Sequence, residues 1–524
     1  MSTLNSKIIL AKNIALDRDY INVLNYTVNQ MLELIQSKEH YVNSKDTYSF
    51  IRPQNTIFTD FSYQECLQAN YIAFQNTDYS GKWFFAWIDD VIYSNNGTCE
   101  IKYTIDAWST WFEFWQPKTC FVQREHVNDD TIGANTIDEN LNVGEVVEES
   151  FEELFTMGAS GNDYYFAIDG TYNPISKQDF VGVNKVNGNL FGSWIFLFDA
   201  YAGSVGLPNI NNFLADVNND AKIESINNMY ILPKSLVDSI GTTEYSKKST
   251  FGSYSFKLLN SSDSVVSLPF DVNKTKSFND YQPKNNKCFV YPYNYLLVSN
   301  NIGNQNILKY ENFDYDTFLL ELELAVSVGV SGRLVPRGYK KVDYNYDESL
   351  PLAKYPTCAW SSDAFTNWLT SNAVNVGSQI VGLGTGAVTG NVGTVASNIA
   401  GLIGNFYSAN LLPSIQGGQN SGDVNFSARK NTFFVRHMRC KTEYLKIIDD
   451  YFTRFGYAIN RVKVPNITGR KTWNYVEIGE SEDIGNGSVP TLFMETINSA
   501  CRKGVTIWHN HANVGNYSLN NDIT

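Results

Sequence analysis

Short apolar runs, six to twelve residues long and rich in aromatic and β-branched side chains, dominate the first part of the chain. Ala69–Asn76 (ANYIAFQN), Lys82–Tyr93 (KWFFAWIDDVIY), Cys99–Ile105 (CEIKYTI) and Cys120–Glu125 (CFVQRE) read as strands. Asn95-Asn96-Gly97-Thr98 reads as a hairpin turn, because Asn-Gly accepts the positive φ such turns need. Residues 5–120 are otherwise read as strands and turns. The exception is a short helix capped by Asp106, whose Trp108, Trp111, Phe112 and Trp115 fall on one helical stripe and are read as core. From 150 to 290 the pattern loosens, with helical pieces expected at Asn209–Asn219 and Asp220–Met229. Strands are expected again at Tyr291–Ser299, Leu308–Asp314 and Asp316–Val330, the last alternating around Glu321 and Glu323 as a sheet with one wet face should. Toward the end come a strand at Asn431–Arg439 and a helix at Lys441–Phe455 closed by Gly456. Strands at Tyr457–Val464 and Lys471–Ile478, a helix at Pro490–Arg502 and a strand at Gly504–His509 follow. The fold class is mainly β with a small α/β C-terminal part.

One stretch obeys neither period. From Ala364 to Gly422 there is no Asp, Glu, Lys, Arg or His. Its core, Ala373–Leu412, is apolar, Gly-rich and free of proline, and a cut at Gly390-Asn391 leaves two arms, each near the ~20 residues a helix needs to cross a bilayer. Gly382, Gly386 and Gly390 recur every fourth residue in the first arm, and Ala396, Ala400 and Gly404 in the second. Such small-residue stripes let helices approach closely in lipid. Val374, Val376, Ile380, Val381, Leu383, Val388, Val392, Val395, Ile399, Leu402, Ile403, Phe406, Leu411 and Leu412 supply the lipid-compatible surface. The tract reads as a membrane-active helical hairpin, or as a Gly-rich loop packed against its own protein. Eight glycines between Gly377 and Gly404 disfavour a lone helix in water, each by about 1 kcal/mol. An element stored in one environment and released into another satisfies both facts.

Composition narrows the functions. Charged residues make up 18% of the chain and aromatics 14%, a profile of a β-rich extracellular or virion protein. A net charge of −14 argues against adhesive nucleic-acid binding but suits a conduit that must not hold DNA. The cysteines (Cys66, Cys99, Cys120, Cys288, Cys358, Cys440, Cys501) include no CxxC pair and read as buried free thiols. The N-terminus lacks the apolar core of a signal peptide, so synthesis in a cytoplasm is expected. Asp129, Asp130, Asp138 and Glu139 mimic a catalytic carboxylate set without a partner motif and read as a solvated turn. His509 and His511 alternate, but two histidines without a third ligand do not make a metal site. The alternative is a glycan-cleaving enzyme resting on Asp89-Asp90, Asp129-Asp130 or Asp449-Asp450. Adjacent acids, however, do not supply two carboxyls facing each other across a sugar, and on a strand they point to opposite faces. Leu334–Gly338 spells LVPRG, coinciding with a protease sequence often engineered into recombinant proteins.

Several specific stretches resemble the tail knob protein of small short-tailed phages that infect Gram-positive bacteria. They are ANYIAFQNTDYSGKWFFAW (69–87), DAWSTWF (106–112), FVQREHV (121–127), NTIDENL (135–141), YFTRFGYAINRVKVPNITGRKTWNYV (451–476) and GVTIWHNHANVGNYS (504–518). The resemblance implies a homohexameric tube built from β-sheet or barrel-like domains, wide enough for duplex DNA, at the distal end of the tail. It implies that the hydrophobic loops of six subunits plug the tube mouth and then leave it to form a pore in the host membrane. No cofactor and no catalytic residue come with it. The expected domains are a tube-wall domain (1–150), a β-rich knob region (151–360), the membrane-active loop (361–425) and an α/β domain packing back on the tube (426–524). Expected partners are the other subunits, collar or connector and tail-tip proteins, the host cytoplasmic membrane, and passing genomic DNA bound without sequence specificity. The middle region leaves room for receptor binding. Acid is a possible trigger for loop release, but the tract itself has nothing to titrate.

Overall fold

The computed structural model describes residues 6–43, 49–51, 54–76, 81–94, 97–154, 164–187, 189–199, 206–261, 266–299, 305–327, 329–339, 358–362 and 433–524. They form two compact units, each assembled from distant stretches of chain: 1–144 with 282–288 and 442–524, and 145–281 with 289–441.

The first unit is built on a seven-stranded antiparallel sheet, in the order His40–Asn43, Ser6–Ala11, Tyr71–Asn76, Trp83–Tyr93, Cys99–Ile105, Thr56–Thr59, Ser49–Ile51. Strand alternation divides the N-terminal IILA between two cores. Ile8 and Leu10 join Ile57, Ile72, Phe74 and Ile101 on one face, while Ile9 and Ala11 join Tyr71, Phe85, Trp87, Trp473 and Trp508 on the other. Two helices cover these faces, Val28–Ser37 and Tyr63–Gln68, each opened by a reciprocal capping box, Thr27 with Gln30 and Ser62 with Glu65. Neither helix was expected among the strands and turns of 5–120. The Asp106-capped helix is present as Ala107–Trp111, with Trp108, Trp111 and Trp115 buried as core. A second, five-stranded sheet runs Asn22–Leu24, Val505–Trp508, Trp473–Ile478, Cys120–Glu125, Tyr457–Lys463. The Thr442–Phe455 and Thr491–Lys503 helices complete the small α/β part.

The second unit holds three larger antiparallel sheets. One runs Ile226–Pro233, Tyr164–Gly170, Trp194–Asp199, Gly252–Leu259, Thr242–Ser249, and the Gly206–Asn219 helix drives Phe213 among Phe196, Phe198 and Phe256 at ring separations of 5.1, 5.2 and 5.6 Å. Asp220–Met229 is not helical: a 3-10 turn at Ile223–Ser225 leads into the Ile226–Pro233 strand, whose pairing with Tyr164–Gly170 overrides the local pattern. Another sheet runs Val146–Glu153, Phe434–Cys440, Asn294–Ser299, Gln305–Leu308. Its last strand stops at Leu308, and Tyr310–Asn312 is a 3-10 turn where a strand was expected.

The third runs Val266–Asn273, Thr317–Ser327, Gly329–Pro336, Cys358–Ser362. The expected single strand over Asp316–Val330 is thus two, paired Ser327 to Gly329. Glu321 and Glu323 do not simply face water, since they pair with Arg337 and Arg333 and are half-buried. LVPRG is woven into this sheet, with Leu334 and Val335 buried and Gly338 at φ 56, where a Cβ would meet the Tyr315 ring at 2.3 Å.

Candidate functional site

The aliphatic residues from Val374 to Leu412 and the small-residue stripes from Gly382 to Gly404 lie outside the described residues. Their two roots do not. On the N-terminal side the chain leaves the Cys358–Ser362 strand, an edge strand laddered to Gly329–Pro336 from Leu334–Cys358 to Val330–Ser362. On the C-terminal side it enters Phe434–Cys440, an inner strand with neighbours on both sides. Phe433 and Phe434 are buried at once, Phe434 stacks on Phe151 at 5.4 Å, and the Leu154 N–H donates to the Phe433 carbonyl at 3.0 Å. Two ion pairs from the buried Arg439, to Glu149 at 2.5 Å and Asp280 at 2.8 Å, pin the strand further. Both roots belong to the second unit, so a force on the tract is delivered to β ladders. Among the described residues no helix is long and apolar enough to cross a membrane.

A second concentration of chemistry lies in the first unit, where the strap after the Cys120–Glu125 strand closes on the five-stranded sheet. Glu139, expected in a solvated turn, is fully buried between Arg124 and Lys287 and also accepts the Ala458 N–H at 2.9 Å. Asp130 accepts from the Tyr457 hydroxyl at 2.5 Å and the Asn286 N–H at 3.2 Å, and burial raises its carboxyl above the usual range. Only Asp129 and Asp138 behave as turn residues, accepting the N–H groups of Thr131 and Asn140 at 2.9 Å. Asp449 is buried on the Thr442–Phe455 helix and takes the N–H groups of Lys284 and Asn285 at 2.9 and 3.0 Å. A strap whose polar groups pair inward has a single path. Gly456 belongs to the same device: besides ending the helix at φ 64, it presses on the Glu125 carbonyl, which an added Cβ would meet at 2.1 Å.

His126 sits at the centre of this strap. Its Nδ1 accepts the Tyr475 N–H at 2.8 Å, so Nε2 carries the proton and donates to the Thr453 carbonyl at 3.1 Å. Burial first, then the neighbouring Arg470 guanidinium, pull its imidazole down to about 3, so it is neutral near neutral pH. His509 lies just beyond the Val505–Trp508 strand, with Nε2 at 3.0 Å from the Asn474 Oδ1, and His511 opens a 3-10 turn. Among the described residues no group of three or more His, Cys, Asp or Glu side chains is placed to hold a metal ion. Cys66, Cys99, Cys120, Cys288, Cys440 and Cys501 are buried.

Curled antiparallel sheets, a charge-free tract rooted in two of them and a strap locked by buried ion pairs suit a protein of architecture. Comparison with known proteins begins at the N-terminal end, where residues 4–115 match the family model described as Caudoviral major tail protein N-terminus. More specifically, residues 255–522 match the model described as Bacillus phage phi29, Tail knob protein gp9, C-terminal domain; the chain belongs to that tail knob family. Similar chains include the tail knob protein gp9 of Bacillus phage PZA, 25% identical over 92% of each chain. That of Bacillus phage phi29 is 24% identical over 98% of this chain and 97% of its own. The structure of the bacteriophage C1 tail knob protein, gp12, superposes with a TM-score of 0.61 at 15% identity, covering 99% of this chain and all of that one, which shows the shared fold.

Proposed function

We propose that this tail knob protein assembles as a homohexameric tube whose lumen conducts the genome, and that its uncharged tract first plugs the tube mouth and then penetrates the host membrane as a pore. The observation that carries this is the tract itself: residues 364–422 without one Asp, Glu, Lys, Arg or His, in a chain with 54 acidic and 40 basic residues. Six copies shielded in a lumen would keep such a stretch out of water, and twelve arms with small-residue stripes could pack side by side in lipid. Polar side chains in the arms would face one another or a wet lumen. The ladders at Cys358–Ser362 and Phe434–Cys440 supply rigid roots, so release of the tract need not unfold the body. The −14 charge favours passage of DNA over its retention. Connector and tail-tip proteins at the two ends, and no cofactor, complete the proposal.

The test is dye release from liposomes together with the assembly state. The full chain should sediment as a hexamer and release dye, and deletion of Ala373–Leu412 or paired Ile399→Lys and Leu402→Lys changes should abolish release while leaving the hexamer. Monomers, or release untouched by these changes, would overturn the proposal.

A further inference from the structure

The second unit carries an apolar finger that its cores do not use. After Gln178–Asp179, which pairs with Tyr172–Asn173, the chain reads FVGVNKVNGNLFG and folds back as the Asn184–Val186 and Asn189–Phe191 ladder. Val181 is 92% exposed, Val183 64% and Leu190 68%. Singly exposed aliphatics are ordinary, but three within ten residues on one projection are not.

The platform beneath them is stiff. Val186 is fully buried and Asn184 is buried, its amide donating to the Ser193 carbonyl at 3.3 Å. The Phe180 N–H donates to the Thr171 carbonyl at 2.7 Å, and the Phe180 ring meets Trp194 edge-on at 4.9 Å. Asn187, at φ 48, supplies the left-handed turn residue. At the base Asp179 pairs with Lys222 at 2.9 Å, and Tyr172 donates to Asp220 at 2.9 Å. A surface this well supported presents its aliphatics in a fixed pose.

We propose that this finger is a lipid-contacting element, which lays Val181, Val183 and Leu190 into the interfacial layer of the host bilayer. Three observations favour lipid over a protein partner. The exposed side chains are aliphatic, whereas protein interfaces concentrate their energy in Trp, Tyr and Arg and use Leu and Val sparingly. From Phe180 to Trp194 it contains no acidic residue, so nothing in it resists the anionic surface. Its Asn189–Phe191 strand packs beside Thr317–Ser327, two strands from Cys358–Ser362, where the uncharged tract begins. The inference rests on the membrane being the target of the proposed function, and it adds a contact that precedes and positions the tract. Because the whole chain is acidic, binding is driven by apolar area. Added salt screens the repulsion and should leave binding unchanged or stronger.

The test labels the full chain with an environment-sensitive fluorophore at Val181→Cys in a Cys358→Ser background, the other cysteines being buried. A control label sits at Val462→Cys, an exposed position in the first unit. With vesicles of phosphatidylglycerol and phosphatidylethanolamine, the label at 181 should shift to the blue and be quenched by shallow brominated lipid, while the label at 462 should not. Val183→Asp and Leu190→Asp should each weaken vesicle partition about tenfold. Dye release is read in the same samples. Release without a shift at 181 overturns the finger and spares the pore; a shift without release does the reverse. A shift that grows with protein concentration and needs no vesicles means that a second copy covers the tip, and overturns the lipid assignment.

Discussion

The strap of the first unit and the phenyl cluster of the second are held by different means. In the first, strap and sheet are joined by buried charge: Glu139 between Arg124 and Lys287, Glu125 with Lys463 and the Asn466 N–H, Asp449 on two backbone N–H groups. In the second, the five-stranded sheet and its helix close over phenyl rings, Phe196, Phe198, Phe213 and Phe256. Apolar packing tolerates many arrangements of similar volume, whereas a buried carboxylate tolerates only the one that supplies its partners. The strap therefore has a defined path, and its integrity depends on protonation in a way the phenyl core does not.

The sharpest way to break this contrast is to remove one charge. Glu139→Ala strands Arg124 and Lys287 together without an anion and should destabilise the first unit by about 3–5 kcal/mol, against less for Glu139→Gln. Urea unfolding followed by tryptophan fluorescence reads this, since Trp108, Trp473 and Trp508 are buried in that unit. A loss under 1 kcal/mol would show that the pairing is incidental. Phe213→Ala should cost the second unit about 3–4 kcal/mol through a cavity, with no dependence on pH or salt. If its effect did vary with pH between 5.5 and 7.5, the contrast between the units would collapse.

A smaller effect sharpens the comparison. His126 is held neutral down to about pH 3, while an unfolded histidine takes up a proton near 6.5. Between those values the unfolded state binds more protons, so stability falls as pH falls. At pH 5.5 the loss from this residue is about 1.4 kcal/mol, and His437, His509 and His511, also pulled down by burial, act in the same direction. Asp106, Asp130 and Glu311, raised by burial, oppose it at lower pH. Replacing His126 by Asn should lower stability at pH 7.5 yet flatten its decline to pH 5.5. An unchanged slope would assign the acid sensitivity elsewhere.

What was legible in the sequence follows from how local each cause is. The Cys99–Ile105 and Cys120–Glu125 strands and the stripe of the Thr442–Phe455 helix are written in spacing alone, and the structure has them with those or nearly those limits. Asp220–Met229 and Leu308–Asp314 were misread because strand pairing from far along the chain, or its end, decided them. Two acids of the strap differ from expectation for the same reason: Glu139 looks like a turn acid until Lys287, far away in sequence, is placed beside it. The uncharged tract is the opposite case, legible as chemistry from composition while its placement lies outside the described residues. The finger gave a signal, FVGVNKVNGNLFG with its Asn-Gly turn, but in sequence an exposed valine cannot be told from a buried one.

The gentlest prediction concerns the Ser62-to-Glu65 spacing, a capping box written in the sequence itself. Ser62 caps the Tyr63–Gln68 helix, accepting the Glu65 N–H at 3.3 Å while the Glu65 carboxylate takes the Ser62 N–H at 2.8 Å. The helix is short, and its Cys66 is buried in the core that holds Ile57, Ile72 and Phe74. Ser62→Ala should cost about 1 kcal/mol, and adding Glu65→Ala should cost less than a second such step, because the two groups satisfy each other's donors. The helix is held mainly by Cys66 and its neighbours, so the double change should leave the fold intact. A loss above 3 kcal/mol would mean instead that the cap nucleates the first unit's sheet, and that its order rests on local hydrogen bonds as much as on the buried charges of the strap.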